Sequence, residues 1–190
     1  MQEQNRSLSI MSSLAVVGLL LLVALAAGIA IANAAEIIPA AGLTRSVNGD
    51  QANAFGSLAV RGQLLPLVST ELGVAYRSES RDNDLLKVRM WPVTASLWLT
   101  PVPALYAGGG VGWYNTSFEY SDTVVPPLQN QTKQEFGVHV GGGAQVPLAP
   151  AAAIDLGGRY VMLRDQQDRL VPEKFDPDFW SMSLGLAIKF

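Results

Sequence analysis

The sequence predicts an all-β fold, an eight-stranded antiparallel up-and-down transmembrane β-barrel behind a cleavable N-terminal signal peptide. Three observations carry this expectation. Segments of about ten residues alternate apolar with small or polar side chains, which is the period of a strand and the length a tilted membrane strand needs. The connections alternate between short Pro-bearing turns and longer polar stretches, as in a barrel whose two ends face different compartments. The last segment sets Trp180, Met182, Leu184, Leu186, Ile188 and Phe190 on one parity and Ser181, Ser183, Gly185, Ala187 and Lys189 on the other. One face is large and apolar and the other small or polar, as for a strand between lipid and a packed lumen.

Composition narrows the classes further. A chain of 190 residues holds one domain plus a targeting segment. With 49% hydrophobic and 15% charged residues it is too apolar for a disordered chain. A net charge of −3 gives no basis for a nucleic-acid partner, because binders of nucleic acid carry clustered positive charge. The absence of cysteine excludes disulfide frameworks and Cys metal sites. With His139 as the lone histidine, no metal or other cofactor is expected.

The elements follow in order. Arg6 precedes an uncharged apolar run from Leu14 to Ile31, and Ala32-Asn33-Ala34 supplies small residues for a signal peptidase. Residues 1–34 therefore read as a signal peptide directing export through the Sec pathway, in preference to an uncleaved membrane anchor. Residues 36–190 read as the barrel domain. Its first strand is expected over 37–47, and a polar loop leads to the second, 55–65, which carries Arg61. Leu65-Pro66-Leu67-Val68 turns the chain into the third strand, 69–80, with Glu71 and Arg77. The fourth, 85–100, precedes the turn Pro101-Val102-Pro103-Ala104. The fifth, 105–120, holds Gly108-Gly109-Gly110, and the polar stretch 121–133 separates it from the sixth, 134–147. That strand carries Glu135, His139 and Gly141-Gly142-Gly143. Pro-bounded residues 147–152 give a short turn into the seventh strand, 153–163, with Asp155 and Arg159. The stretch 164–178 precedes the eighth strand, 179–190. Proline in the short turns blocks strand continuation, and eight strands bring both ends of the barrel to the short-turn, periplasmic side.

Alternation alone does not say which face is inside, because a soluble lipid carrier is also an eight-stranded barrel, apolar inside and polar outside. Here the non-apolar face is rich in Gly, Ala and Ser and poor in charge, unlike a water-facing surface. It suits the lumen of a narrow barrel, whose interior just holds side chains. Charge placement agrees, since Arg61, Glu71, Arg77, Glu135, Asp155 and Arg159 fall on the inner parity. A cation facing lipid at the bilayer midplane costs roughly 2–4 kcal/mol. Lys87 and Arg89 break this parity, and are placed above the membrane with Trp91 at the interface.

These features resemble the small bacterial outer-membrane β-barrel family that includes the OmpA transmembrane domain and the opacity proteins. The resemblance spans residues 36–190 and rests most on Gly137–Pro147, Asp155–Val161 and Leu184–Phe190. It implies residence in the cell outer membrane, among outer-membrane lipid and lipopolysaccharide. It also implies that the barrel assembly machinery reads Met182, Leu184, Leu186, Ile188 and Phe190 as an assembly signal. The peptidoglycan-binding domain of OmpA-like proteins has no counterpart in this sequence, so wall anchoring is not implied.

The candidate chemistry lies in the lumen and the outer loops. Arg61, Glu71, Arg77, Glu135, His139, Asp155, Arg159 and Lys189 form the expected lumen charge network. Folding about Pro66 sets Arg61 near Glu71, and folding about 148–150 sets His139 near Arg159. A structural ion network is favoured over an ion-conducting path, since buried charges must be paired. A hydrolase needs a nucleophile and a base in contact, and His139 has no Ser within two residues on its face, so no catalytic residue is assigned. The glycine triplets are expected to permit sharp curvature and leave room for Trp98 or Tyr106, in preference to thinning the wall into a pore. The loops 121–133 and 164–178 are expected to face outward, and Val124-Val125-Pro126-Pro127-Leu128 is apolar for a loop tip. The function this favours is a structural or adhesin-like surface role without enzymatic activity. A narrow porin-like channel is the alternative, and a lipid-modifying enzyme or a soluble lipid-binding barrel comes after it.

Overall fold

The computed structural model describes residues 35–47, 51–81, 86–120, 131–163 and 178–190. The predicted signal peptide lies outside these residues, as does nearly all of both predicted outer loops. Eight strands run in order, β1 Ala35–Ser46, β2 Ala52–Leu65, β3 Val68–Arg81, β4 Leu86–Val102, β5 Leu105–Tyr120, β6 Gln131–Ala149, β7 Ala152–Leu163 and β8 Phe179–Lys189. Each pairs antiparallel with its neighbour, and β1 pairs with β8, so the sheet closes. The fold is the eight-stranded all-β barrel that the alternation predicts.

The short connections are two-residue turns at Pro66-Leu67, Pro103-Ala104 and Pro150-Ala151. Pro101 and Pro147, expected to end strands, instead lie inside β4 and β6. The register shifts just beyond them, between Leu99 and Val102 and between Pro147 and Ala149. Pro39 and Pro92 are also inside strands, and in each case one flanking ladder is interrupted while the other runs on. A proline lacks the N–H for only one of its two neighbours, so a long strand tolerates it. At the short-turn end, the Phe190 N–H donates to the Ala35 carbonyl (3.1 Å) and the Lys189 N–H to that of Ala151 (2.9 Å), holding both barrel ends together.

The outer face carries the large apolar parity. Leu58, Val74, Leu97, Val140, Leu156 and Leu184 all stand exposed around the wall. A ring of outward aromatics crosses it toward the loop end, with Tyr76 against Trp91 (4.4 Å between centroids), Trp113 against Phe136 (5.6 Å) and Tyr160 against Trp180 (4.5 Å). Between Trp180 and Phe190, a rise of about 3.3 Å per residue and a tilt near 40° give roughly 25 Å, the height of an outer-membrane apolar band. An apolar band of that height, rimmed by aromatics, has no favourable solvent in water and matches a bilayer.

The inner face is less uniformly polar than alternation suggests. Met90, Tyr114, Val161, Leu163 and Phe179 form a buried apolar cluster toward the loop end. Ile38, Ala153 and Ala187 form a smaller one toward the other end. The two glycine triplets meet at the Gly108–Gly141 pair, and Gly142 and Gly143 face Gly158 and Gly157 of β7. The room they leave is used. A side chain at Gly143 would strike the Leu156 carbonyl and the Tyr106 ring, and one at Gly137 would meet Tyr114.

A Gly143→Val substitution should therefore destabilise the barrel by roughly 1–3 kcal/mol. Gly56, whose absent Cβ would meet nothing within 4 Å, supplies the control, and Gly56→Ala should leave stability within about 0.5 kcal/mol. Urea unfolding of both variants in lipid vesicles measures the difference.

Candidate functional site

The inward side chains converge on a charged belt across the middle of the lumen. The β2–β3 hairpin sets Arg61 directly opposite Glu71, as its turn predicts. Arg61 Nε and Nη2 donate to Glu71 Oε2 at 2.9 and 2.6 Å. From the facing wall, Arg159 Nη2 donates to Glu71 Oε1 at 2.5 Å, so both oxygens of this carboxylate are engaged by guanidinium groups. Arg61 Nη1 reaches Asp155 Oδ2 of β7 at 2.9 Å. Asp155 Oδ1 accepts from the Tyr106 hydroxyl of β5 at 2.9 Å. Gln145 Nε2 of β6 bridges Asp155 Oδ2 (3.1 Å) and Glu36 Oε1 of β1 (2.9 Å). Glu71, Arg61 and Asp155 are at most 5% exposed. At such burial each charge needs a counter-charge and hydrogen bonds to be tolerated, and here each has them.

Aromatic rings complete the belt. The Arg61 guanidinium lies 4.3 Å from the Tyr106 ring centroid and that of Arg159 lies 5.2 Å from Trp98. Trp98 is fully buried and meets Tyr106 edge-on at 5.3 Å. Together these groups fill the lumen's cross-section. A cavity of about 90 Å³ lies toward the loop end, bordered by Glu71, Thr94, Tyr114 and His139. A larger one of about 570 Å³ opens at the short-turn end beneath Arg61 and Tyr106.

The expected network is thus divided. Arg61, Glu71, Asp155 and Arg159 come together. Arg77 sits higher, its guanidinium 4.5 Å from the Phe179 ring centroid and 3.5 Å from the Thr44 hydroxyl. Glu135 pairs in register with Tyr114, also above the belt. Lys189 is exposed at the short-turn rim, opposite Glu36. His139 faces Val161 in register, while Arg159 faces Gly141. Both side chains still flank Trp98, with the His139 ring 6.4 Å from it.

Ser96 is a correction to the reading of His139. No serine is near it along β6, yet Ser96 Oγ of β4 lies 2.9 Å from His139 Nε2. The contact skips β5, where Gly110 leaves the lumen open between them. A Ser–His pair alone does not make a hydrolytic site, because the other ring nitrogen needs an orienting acid. His139 Nδ1 has no hydrogen-bond partner and the residue is 1% exposed. The pair faces the filled lumen and not the lipid. Among the described residues no cluster of His, Asp and Glu suits a metal ion.

Glu36, Gln145 and Ser96 are belt or lumen partners that the sequence reading did not assign, and Tyr106, expected only as a bulky lumen residue, joins the belt through Asp155. Parity would have placed all of them inside. Glu36 fell one residue before the expected start of β1. On the outer face, Met182, Leu184, Leu186, Ile188 and Phe190 are all exposed along β8, the surface an assembly signal would present.

Comparison with known proteins is consistent with this architecture. The family model described as outer membrane protein beta-barrel domain matches residues 17–190. Among solved structures, Neisserial surface protein A is 14% identical with a TM-score of 0.59, the match covering 83% of this chain and 96% of that one. A major outer membrane protein from Thermus thermophilus is 15% identical, TM-score 0.59, covering 82% and 99%. The attachment invasion locus protein of Yersinia pestis, solved with the heparin analogue sucrose octasulfate, is 18% identical, TM-score 0.53, covering 83% and 98%. No curated protein matches at the level of sequence.

Glu71→Ala should leave Arg61 and Arg159 without their shared carboxylate and cost about 3–5 kcal/mol. Its urea midpoint in lipid vesicles should fall well below that of the wild type, whereas His139→Ala, which removes one neutral contact, should cost no more than about 3 kcal/mol.

Proposed function

The chain belongs to the outer membrane protein β-barrel domain family and resides in the outer membrane, and from this premise we propose that it is a closed structural barrel whose activity lies in surface interaction. The observation that carries this reading is the filled lumen. Arg61, Glu71, Arg159, Asp155 and Tyr106 pair with one another across its middle, and the Trp98 ring packs against Arg159. A solute would have to break ion pairs that lie almost entirely out of water, which is costly. Among the described residues, no acid is hydrogen-bonded to His139 Nδ1 to orient the ring. Neither transport nor catalysis is therefore the favoured role.

Interaction then falls to the connections between β5 and β6, residues 121–130, and between β7 and β8, residues 164–177; the first is shorter than expected because β6 already begins at Gln131. Asp178 anchors the base of the second segment, accepting from the Tyr160 hydroxyl at 2.8 Å and from the Leu163 N–H at 2.9 Å. Charge bears on the class of partner. Residues 164–178 carry Arg164, Arg169 and Lys174 against Asp165, Asp168, Glu173, Asp176 and Asp178. This excess of acid disfavours a polyanionic partner such as the sulfated sugar on the Yersinia protein. With the apolar run from Val124 to Leu128, it favours a neutral or basic protein surface. Within the membrane the apolar wall contacts lipid and lipopolysaccharide, and the exposed parity of β8 suits recognition by the barrel assembly machinery.

A narrow channel is the second reading, favoured by the cavities on both sides of the belt. The two readings separate cleanly. Refolded protein should be silent in a planar bilayer, and steady single-channel currents would transfer the role to conduction. Replacing 121–130 and 164–177 by short Gly-Ser linkers should abolish binding to host or neighbouring cells while leaving heat-modifiable gel migration intact. Unchanged cell binding would end the surface-interaction reading.

A further inference from the structure

The three short turns have a chemistry unlike that of turns in water. Two-residue hairpin turns usually carry Asn-Gly, Asp-Gly or a similar polar pair. Here they are Pro66-Leu67, Pro103-Ala104 and Pro150-Ala151. The strands that lead into and out of them are equally bare. No Asp, Glu, Lys or Arg lies between Arg61 and Glu71, between Arg89 and Glu119, or between Glu135 and Asp155. Around the tips, Leu65, Leu67, Val102, Leu105 and Leu148 stand 50–59% exposed. This rim continues the apolar parity of the wall without a break, through Leu97 and Leu99 on β4 and Val146 on β6. An exposed apolar surface of this extent marks an interaction site.

The backbone of the turns points to the partner. Each turn opens on proline, which has no N–H to leave unpaired. In each, the carbonyl of the second residue is taken by the neighbouring hairpin or strand. The Thr100 N–H donates to Leu67 O at 3.0 Å, the Gln145 N–H to Ala104 O at 2.8 Å and the Lys189 N–H to Ala151 O at 2.9 Å. Gln63 Nε2 also donates to Pro66 O at 3.1 Å. A turn in water needs none of this, because water satisfies its polar groups. A turn in lipid does, since the bilayer offers them no partner. The turns are spread around the rim, between β2 and β3, β4 and β5, and β6 and β7, and several of their residues border the mouth of the cavity at this end. A surrounding lipid leaflet meets all three together, whereas one folded partner would have to span that opening. We propose that the three short turns form a lipid-binding collar, immersed to their tips in the acyl-chain margin of the periplasmic leaflet. Glu36 and Lys189, on the inward parity beside the β1–β8 closure, keep the charge at this end out of that collar.

The test folds the full chain into vesicles of pure phospholipid. The chain has no cysteine, so Leu67→Cys, Ala104→Cys and Leu148→Cys each take a single nitroxide label. Power saturation then compares contact with oxygen, which concentrates in lipid, and with a nickel chelate, which stays in water. All three labels should favour oxygen, while Lys189→Cys, exposed at the same end, should favour nickel. Nickel access at the turns equal to that at position 189 would overturn the proposal and leave the rim as a surface for a protein. A second measurement needs no label. Leu67→Ser combined with Leu148→Ser should lower the urea midpoint in vesicles, because leucine favours lipid and serine does not. In water, such exposed substitutions are close to neutral. An unchanged or higher midpoint would therefore also overturn immersion. Should the double variant fail to fold, the labels alone decide.

Discussion

The rest of this structure depends on the width of its lumen. Eight strands close a barrel whose interior is just wide enough for side chains, so every inward residue meets others from across the barrel. Glu71 occupies the point where this constraint is tightest. It is 2% exposed and is held by Arg61 from the adjacent strand and Arg159 from the facing wall. Through Arg61 the same pairing extends to Asp155, and through Asp155 to Tyr106 and Gln145. Register is thereby tied to charge. A one-residue slip of β2 against β3 would send Arg61 or Glu71 into the lipid while stranding its partner in the lumen. The two-residue turn at Pro66-Leu67 and the register shift between Gln63 and Leu65 together set that register.

Volume is shared out by the same limit. Tyr106, Tyr114 and Trp98 are 7% exposed or less inside a barrel with little free space. The positions that a Cβ would share with Tyr106 or Tyr114 include Gly112, Gly137, Gly143 and Gly157. Large rings on one wall are matched by missing side chains on another. Gly143 of the second triplet is therefore a packing complement of the Tyr106 ring, while the other triplet glycines lie close against the backbone of adjacent strands.

How far the sequence reveals this follows from distance along the chain. Strand number, order and faces were legible because period-two alternation is local. The Arg61–Glu71 pair was legible because one hairpin makes it. The pairs of Arg61 with Asp155 and Ser96 with His139 were not. They depend on how the closed sheet is sheared, which places non-adjacent strands at common heights. Proline was over-read as a terminator at Pro101 and Pro147, because in a long strand its missing N–H affects only one neighbour. The apolar cluster of Met90, Tyr114, Val161, Leu163 and Phe179 was missed for another reason. Parity says which residues point inward but not whether water reaches them, and toward the loop end the lumen is packed like a core.

The unspent oxygen of Glu36 follows from the geometry of the belt. A guanidinium is a planar fork with donors in fixed directions. Arg61 aims one edge at Glu71 and one corner at Asp155, and no donor remains directed at Glu36 within hydrogen-bonding distance. Moving Arg61 toward Glu36 would unpair a carboxylate that is more deeply buried, so the shortfall stays at the periplasmic edge. Arg61 therefore decides which carboxylates of the belt are fully paired and which is left at the edge.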